Sequence, residues 1–296
     1  MKPPRFAYHD PTTIEEVLDL LHLHGDEAKL LAGGQSLIPV LNMRLTSPKV
    51  LIDLGRIPML AFIREEAGFL ALGAMTRHAL VERSALVAQR QPLLAEAIRQ
   101  VGHPQIRNRG TIGGSLAHAD PAAELPAVLL ALGGSVVVQG RGAQREIAAA
   151  DLFQGLFTTA IGPTELLTEV RVPVLPERTG WAFVELARRH GDFALAGVAC
   201  TLTLAPDGQI AGCQLALTGV GAGPVQGSAA ASSLVGKMPS ATSFAEAAAL
   251  VQAAVEPESD IHATAAYRRH LAGLLTERAL AQALARVSRL EGGAAG

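Results

Sequence analysis

The sequence predicts an α+β protein of two or three compact domains. Its 296 residues exceed the length of one average domain and allow a sizeable core. Strand-like and helix-like segments alternate up to about residue 176, whereas three strands followed by two helices account for most of the rest. The stretch 173–180, which is rich in proline and ends in glycine, is the best linker candidate between these two parts.

The composition excludes several classes of protein. Hydrophobic residues make up 49% of the chain, charged residues make up 18%, and the net charge is −2, which disfavours disorder and strong attraction to nucleic acid or anionic membranes. The two cysteines, Cys200 and Cys213, exclude a disulfide framework and an all-cysteine iron–sulfur or zinc site in this chain. The sequence shows neither a secretion signal nor an apolar run near the ~20 residues of a membrane span. We therefore expect a cytoplasmic protein.

The first predicted elements surround a glycine pair. The spacing of apolar residues predicts a helix over 13–24, and a short apolar run predicts a buried strand over 28–32. A further helix is predicted over 37–43, with Ser36 as its N-cap. The segment Ala32 to Ser36 therefore joins the end of a strand to the start of a helix.

The remaining elements follow from the same patterns. Asp120 as N-cap and Pro121 at the first helical position predict the start of an alanine-rich helix. The segment 206–208 predicts a hairpin turn between the last two strands. Residues 291–296 are predicted to form a frayed tail. The other predicted strands cover 50–54, 69–73, 135–139, 169–173, 181–186, 196–204 and 210–220, and the other predicted helices cover 76–87, 92–97, 243–255 and 263–289.

Two glycine pairs are the strongest functional signal. The first lies in Ala32 to Ser36 and the second in Thr111 to Ser115, and both turns are nearly uncharged. Glycine lets a backbone approach a ligand closely and adopt a positive φ, and successive exposed amides form an anion-binding nest. One such pair is usually just a turn, but the two together predict a cradle for a nucleotide diphosphate. Four side chains stand where they add polar donors: Gln35, Ser36, Thr111 and Ser115.

Three segments carry a family resemblance. They are Ala32 to Leu37, Ile106 to Pro121, and Arg189 to Ala194. In this order and separation they resemble the flavin-binding medium subunits of the molybdenum hydroxylase and xanthine dehydrogenase family, most of all those of the aerobic carbon monoxide dehydrogenases. The resemblance extends over nearly the whole chain.

The resemblance implies a particular fold. Family members bind FAD in a fold of the p-cresol methylhydroxylase type, which has two α/β subdomains. A C-terminal domain follows, with a three-stranded antiparallel sheet and a helical bundle. For this chain we expect an FAD-binding domain over 1–176, with subdomains at about 1–55 and 56–176. The C-terminal domain, of the carbon monoxide dehydrogenase flavoprotein type, is then expected over 177–290, before the tail.

The resemblance also implies an FAD site. Backbone amides of both glycine motifs are expected to hold the pyrophosphate, Asp120 to reach ribityl or ribose hydroxyls, and Phe193 to lie near the isoalloxazine ring. No catalytic residue and no metal ligand is expected in this chain. The implied cofactor-binding residues are Ala32, Gly33, Gly34, Gln35, Ser36, Leu37, Thr111, Ile112, Gly113, Gly114, Ser115, Asp120 and Phe193.

Two positions depart from the family pattern. Gln35 stands where some members carry histidine, and Ser115 stands where many carry asparagine. Both remain polar, so FAD binding is still expected. Relatives that attach FAD covalently in this fold use a histidine or a tyrosine, and neither glycine turn contains one. The sequence therefore predicts non-covalent FAD.

The implied function is electron transfer inside a larger complex. In this family a large subunit with a molybdenum cofactor oxidises the substrate, and a small subunit with two [2Fe–2S] clusters relays electrons to FAD. FAD passes them to an external acceptor. Any association of the complex with the inner face of the membrane is expected to occur through that acceptor. A dimer of heterotrimers is expected, without nucleic acid and without a membrane span. Carbon monoxide, a purine, nicotine and another N-heterocycle all remain open as the substrate.

Two other functions stay open at this point. A free-standing FAD-dependent oxidoreductase of the same fold would turn over a substrate alone, and a non-enzymatic assembly subunit would keep the fold without the cofactor. Arg107 and Arg109 precede the second glycine motif. Three roles stay open for these two arginines. They could offset the charge of the pyrophosphate, face the iron–sulfur partner, or simply be exposed to solvent.

Overall fold

Three β-sheets organise the structure. The computed structural model describes residues 2–293, with side chains described up to Ser288. Sheets of three, five and four strands follow one another, and a separate two-stranded hairpin precedes the last strand of the second sheet. Each sheet packs with its helices around a cluster of buried apolar side chains. The predicted α+β class is confirmed.

The first sheet is parallel and connected by helices. Its strands β1 (Ala7–His9), β2 (Ala28–Leu31) and β3 (Val50–Asp53) lie in the order β1-β3-β2. Helix α1 (Ile14–His24) connects β1 to β2, and helix α2 (Leu37–Asn42) lies between β2 and β3. Such crossovers are what parallel neighbours require. Of two short 3₁₀ helices, Gly25–Glu27 lies between α1 and β2, and Pro58–Leu60 follows β3.

The caps of α1 and α2 differ. Thr13 caps α1 as predicted, because its hydroxyl accepts a hydrogen bond from the backbone N–H of Glu16 at 3.2 Å. Ser36 occupies the N-cap position of α2, but its backbone is already helical (φ −101°, ψ −50°) and its hydroxyl makes no capping hydrogen bond. The Ser36 hydroxyl is therefore exposed beside the first glycine pair.

The second sheet has five antiparallel strands in the order β4-β5-β10-β6-β7. Its helices pack with it around one cluster of buried apolar side chains, and one of them contains the second glycine pair. The strands are β4 (Ile63–Glu66), β5 (Phe69–Gly73), β6 (Ser135–Gly140), β7 (Ala143–Ala148) and β10 (Leu166–Pro173), and β8 (Phe153–Gly155) and β9 (Thr158–Thr159) form the hairpin. The helices are α3 (His78–Arg83), α4 (Ala85–Arg90), α5 (Pro92–Ala97), α6 (Pro104–Arg107), α7 (Ile112–His118), α8 (Glu124–Ala131) and α9 (Ala149–Leu152).

The third sheet is antiparallel and packs on the C-terminal helices. The three long strands that the resemblance implies are present, and a two-residue strand joins their edge as a fourth. The predicted hairpin turn is confirmed, with Gly208 at φ 85°. The strands are β11 (Thr179–Ala187), β12 (Ala194–Leu204), β13 (Ile210–Thr218) and β14 (Val225–Gln226), and the helices are α10 (Ser228–Leu234), α11 (Ala241–Ala254) and α12 (Ala265–Gly293).

Three predicted element boundaries are wrong. The helix predicted over 76–87 is two helices, because Ser84 adopts extended angles (φ −73°, ψ 115°) and caps α4 through Val87. The helix predicted to start at Asp120 begins at Glu124. The last helix continues to Gly293, so the first half of the predicted tail is helical, and residues 294–296 lie outside the described residues.

Candidate functional site

The two glycine motifs lie against each other. Ala32 to Ser36 follows β2 at the carboxyl end of the parallel sheet, where open α/β sheets place their binding crevices. A Cβ added to Gly33 would lie 2.5 Å from the carbonyl oxygen of Arg109 and 2.7 Å from the Cα of Gly110. A Cβ added to Gly114 would lie 3.2 Å from that of Ala32. Both glycines are therefore needed for the contact between the motifs themselves.

The first motif presents free backbone amides. Gly34 has a φ of 74°, which turns the chain sharply between β2 and α2. Within residues 2–293, the N–H groups of Gly33, Gly34, Gln35 and Ser36 donate no hydrogen bond to a protein acceptor. The Gln35 side chain returns to the carbonyl oxygen of Gly33 at 3.3 Å. Successive unpaired amides of this kind form a nest for an anion.

The second motif has a different construction. Thr111 is the N-cap of α7, so the second glycine pair lies in the first turn of a helix rather than in a loop. Its amides already donate within the protein: Ile112 to Thr76 at 3.0 Å, Gly113 to Ala74 at 2.9 Å, and Gly114 and Ser115 to Thr111, both at 3.1 Å. The amides of Ile112 to Ser115 are therefore already satisfied within the protein, and the expected contact of this motif with the pyrophosphate stays a prediction. The motif supplies a closely packed wall and the side chain of Ser115.

Two guanidinium groups stand beside the contact between the motifs. Arg77 donates a hydrogen bond to the carbonyl oxygen of Arg109, the same atom that faces Gly33. Burial and the nearby Arg109 charge lower the pKa of Arg77. Adjacent cations favour an anion between them. Arg107, by contrast, is buried and ion-paired with Glu82 at 2.8 Å, and it donates to the carbonyl oxygen of Gly102, so its role is structural.

The remaining predicted site residues lie outside the two motifs. Asp120 is half-buried, and one of its carboxylate oxygens accepts a hydrogen bond from the Ala122 N–H at 2.9 Å in a turn before α8. Phe193 lies in the connection between β11 and β12, and 64% of its surface is exposed. An aromatic ring this exposed is available for contact with a cofactor or a partner.

Two family models match the chain. Residues 4–175 match the FAD binding domain in molybdopterin dehydrogenase, which is more than half of the chain. The chain belongs to the molybdenum hydroxylase flavoprotein family. Residues 181–283 match the CO dehydrogenase flavoprotein C-terminal domain. The family and fold that the sequence motifs predict are thereby confirmed.

Named relatives match this flavoprotein subunit over almost its entire length. The 6-hydroxypseudooxynicotine dehydrogenase complex subunit alpha of Paenarthrobacter nicotinovorans is 44% identical over 97% of this chain and 97% of its own. The carbon monoxide dehydrogenase medium chain of Hydrogenophaga pseudoflava is 39% identical over 97% and 99%. The carbon monoxide dehydrogenase structure from that organism, which lacks the Mo-pyranopterin moiety of its molybdenum cofactor, has a TM-score of 0.94 at 40% identity, covering 97% of this chain and 99% of that chain.

The site of this flavoprotein subunit fits FAD. Four unpaired amides and two guanidinium groups suit a diphosphate, and Gly34 allows the positive φ that the turn requires. In residues 2–293, no group of three or more histidine, cysteine, aspartate or glutamate side chains is arranged to hold a metal ion. Over the same range, no helix combines the length and apolarity that crossing a membrane requires.

Three functional candidates escaped the sequence reasoning. Arg77 carries no recognisable motif, and only folding brings it to the carbonyl of Arg109. Glu124 is a buried carboxyl and Glu185 is a partly buried one; burial raises the pKa of Glu124 to about 7 and that of Glu185 to about 8. Glu124 had one usable signal, because it is a single charge within an otherwise uncharged stretch after Asp120. Glu185 had none, since charged residues are ordinary in strands that face solvent.

Proposed function

We propose that this subunit holds FAD non-covalently, with the pyrophosphate on the first glycine motif. The site would place FAD between the [2Fe–2S] clusters of a small partner subunit, as electron donor, and an external acceptor. A large partner subunit with a molybdenum cofactor oxidises the substrate. The observation that carries the proposal is the row of four unpaired amides, Gly33 to Ser36, beside Arg77 and Arg109.

The chain's own residues bind and orient the cofactor. Hydrogen bonds to a charged group contribute about 1.5–3 kcal/mol each, so a few amides retain a cofactor without a covalent bond. The second motif acts as the wall that fixes the first, with Thr111 and Ser115 as its polar side chains. Asp120 and Phe193 contact the ribityl or ribose hydroxyls and the isoalloxazine ring. When bound, FAD supplies the redox chemistry that links a one-electron donor to an external acceptor.

The organisation of the complex follows the same proposal. An FAD-binding domain over 1–176 and a C-terminal domain over 177–290 form the subunit, and a dimer of heterotrimers forms the enzyme. The complex is cytoplasmic, and only the electron acceptor brings it to the membrane. Relatives named for carbon monoxide and for a nicotine derivative match equal shares of this chain, which supports a substrate-independent role for the flavin subunit.

Ser36→Asp tests the proposal. Ser36 is exposed and its hydroxyl makes no capping hydrogen bond, so an aspartate there leaves α2 intact while placing a negative charge beside the four amides. Repulsion of the diphosphate is expected to cost about 2–3 kcal/mol, which is about 30- to 150-fold in the FAD dissociation constant. Titration of the apoprotein with FAD, followed by flavin fluorescence, measures the change.

Ser240→Asp is the matched control. It introduces the same substitution at the N-cap of α11, which packs on α10 and α12, at an exposed position outside both glycine motifs. Its FAD affinity should equal that of the unsubstituted chain. Equal affinity of Ser36→Asp and Ser240→Asp, with both proteins folded, would rule out pyrophosphate binding at the first motif.

A further inference from the structure

The imidazole ring of His78 is buried directly behind the second glycine motif. Only 4% of the residue is exposed, and in the described part of the chain neither ring nitrogen makes a hydrogen bond. Burial, with a smaller contribution from the charges of Arg107 and Arg77, lowers the pKa of His78 to about 4. The nearby Thr111 backbone favours a proton on the ring but does not reach hydrogen-bonding geometry. The ring is therefore neutral at pH 7, and its unpartnered nitrogens make its burial costly.

The ring lies against Gly110. A Cβ added to Gly110 would lie 2.9 Å from the His78 Nδ1 atom and 3.0 Å from its Cε1 atom. Both atoms belong to a rigid ring in a closely packed interior, so Gly110 must lack a side chain where it meets His78. The backbone N–H of His78 also donates to the Gly110 carbonyl oxygen at 3.0 Å. The ring and the backbone of one residue therefore hold the same glycine.

Gly110 also contacts the first glycine motif. A Cβ added to Gly33 would lie 2.7 Å from the Gly110 Cα. Arg77, the residue before His78, donates a hydrogen bond to the carbonyl oxygen of Arg109, the atom that faces Gly33. A single glycine therefore separates the His78 ring from the first motif.

The surroundings of His78 carry more positive than negative charge. Arg77 and Arg107 both oppose a proton on the ring, and Arg107 is ion-paired with Glu82 at 2.8 Å. A protonated ring would place a further positive charge beside these two guanidinium groups. Helix α3 and the segments packed against it carry these other titratable groups: Arg77, Glu82, Arg83, Arg90, Glu96, Arg99, His103, Arg107 and Arg109.

We propose that His78 is a positioning residue for the FAD site, whose neutral ring holds Gly110 and the Arg109 carbonyl against the first glycine motif. Protonation in acid drives the ring away from Arg77 and Arg107 towards water, and the contact between the two motifs loosens with it. The subunit then binds FAD more weakly in acid. The hold on Gly110 stands independently of FAD, whereas the effect on FAD rests on the proposed function.

Hydrogen exchange of the full-length apoprotein tests the hold on Gly110. The Ile112 N–H donates to the Thr76 carbonyl oxygen at 3.0 Å, so its exchange reports separation of the second motif from the segment that carries His78. In His78→Ala at pH 7 this amide should exchange at least about tenfold faster than in the unsubstituted chain. In His78→Asn, whose neutral amide nitrogen replaces Nδ1, it should exchange at most about threefold faster.

Val81→Ala is the matched control. Val81 lies one turn further along α3 and is buried in the apolar cluster of the second sheet, so its truncation destabilises the helix while the imidazole stays in place. Thermal unfolding confirms that the variants are folded. Exchange of the Ile112 amide that is no faster in His78→Ala than in Val81→Ala would overturn the hold on Gly110. If His78→Ala does not fold, the pH comparison with His78→Asn decides.

FAD titration at different pH values tests the effect on the cofactor. A ring that leaves the site regains an ordinary histidine pKa of about 6.5, so the released form gains as the pH falls from about 6.5 towards about 4. The unsubstituted chain should lose about tenfold in FAD affinity between about pH 7 and about pH 5. His78→Asn takes up no proton there and should lose less than about threefold. Circular dichroism at each pH monitors the fold. Equal pH dependence of the two proteins would refute the role of His78 in FAD binding.

The two measurements separate the two failures. If the unsubstituted chain binds no FAD at any pH, the proposed function and the effect on FAD both fail, and exchange of the Ile112 amide still decides whether His78 holds Gly110. If FAD binds with the same pH dependence in His78→Asn, only the effect on FAD fails.

Discussion

Gly33 is required by the protein before any cofactor arrives. A side chain there would meet backbone atoms of Arg109 and Gly110, which have no flexible end to move aside. Gly113 is similarly constrained, since an added Cβ would lie 2.6 Å from that of Ala74. At the residue scale, the sequence therefore predicted where glycine is needed. The close approach of two segments more than 70 residues apart could not be predicted, because it exists only after folding.

Gly33→Ala is expected to destabilise the subunit and weaken FAD binding together. Forcing a methyl group against the Arg109 carbonyl at 2.5 Å must move the two motifs apart, at a cost of about 1–3 kcal/mol in the free energy of unfolding. Chemical denaturation measures the first effect and FAD titration the second.

Gly212→Ala is the control for that experiment. Gly212 lies on β13, and the nearest atom to an added Cβ is the Thr203 Cβ at 4.0 Å. Its unfolding free energy should change by less than about 0.5 kcal/mol. Equal stability of Gly33→Ala and Gly212→Ala would contradict the contact between the motifs.

At the element scale, α7 and the turn after it show how one sequence signal supports two structures. Asp120 has the short polar side chain of an N-cap, yet it accepts the Ala122 N–H in a turn, and α8 starts four residues later. Aspartate favours helix caps and such turns for the same reason, since its side chain bonds a nearby backbone N–H. Thr111 caps α7 instead. The local preference of aspartate therefore located the end of one element correctly, but it did not distinguish a turn from the start of a helix.

Two of the strands that the sequence did not reveal lie at the edges of the second sheet. β4 and β7 each pair on one side only and carry mostly exposed charged or polar residues, so they lack an apolar pattern. Their charges meet partners on the central strand: Arg64 bonds Glu169 at 3.1 Å, and Glu146 bonds Arg171 at 2.6 Å. These pairings depend on strand order, which no local pattern specifies.

Helix α5 is expected to depend on Glu96 for its contact with the C-terminal part of the chain. The Glu96 carboxylate binds Arg286 of α12 and accepts a hydrogen bond from the Trp181 indole at 3.1 Å. Glu96→Ala leaves both donors without their acceptor and should lower the free energy of unfolding by about 2–3 kcal/mol, as measured by chemical denaturation.

A surface ion pair provides the comparison for Glu96. Glu246 pairs with Lys237 at 3.1 Å, and both side chains are about half exposed. Glu246→Ala should cost less than about 0.5 kcal/mol, because exposed ion pairs contribute little. If the two substitutions cost the same, Glu96 does not link the two parts of the subunit.

At the scale of the whole molecule, the order of the elements was predictable and the junction between the parts was not. The strand and helix patterns indicated a mixed first part and an antiparallel second part, both of which the structure contains. The junction is formed by side chains of ordinary appearance. Thr218 bonds the carbonyl oxygens before α8, and the second and third sheets share buried residues such as Phe183. Only the three-dimensional arrangement lets the charge of Glu124 add to the effect of burial in raising the pKa of Glu185.

The shifted pKa values of these two glutamates predict how stability depends on pH. Burial raises the folded-state pKa of Glu124 to about 7 and of Glu185 to about 8, above the ordinary glutamate value. The folded chain therefore binds more protons than the unfolded chain, and this stabilisation, fully present below the unfolded pKa, is lost as the pH rises through about 7 and about 8. Between about pH 6.5 and about pH 8, the free energy of unfolding should fall by at most about 1.4 kcal/mol per pH unit for each group.

Two other groups with shifted pKa values determine the pH range in which this fall in the free energy of unfolding should be measured. Burial lowers the pKa of His78 to about 4, so stability linked to His78 rises with pH and is complete by about pH 6.5. The backbone N–H of Ala263 lowers the pKa of Asp260 to about 2, and its contribution changes only below about pH 4. Above about pH 6.5 the two glutamates dominate. Replacing both with glutamine should flatten the stability profile there, and a double variant that keeps the full slope would show that these carboxyls are not its source.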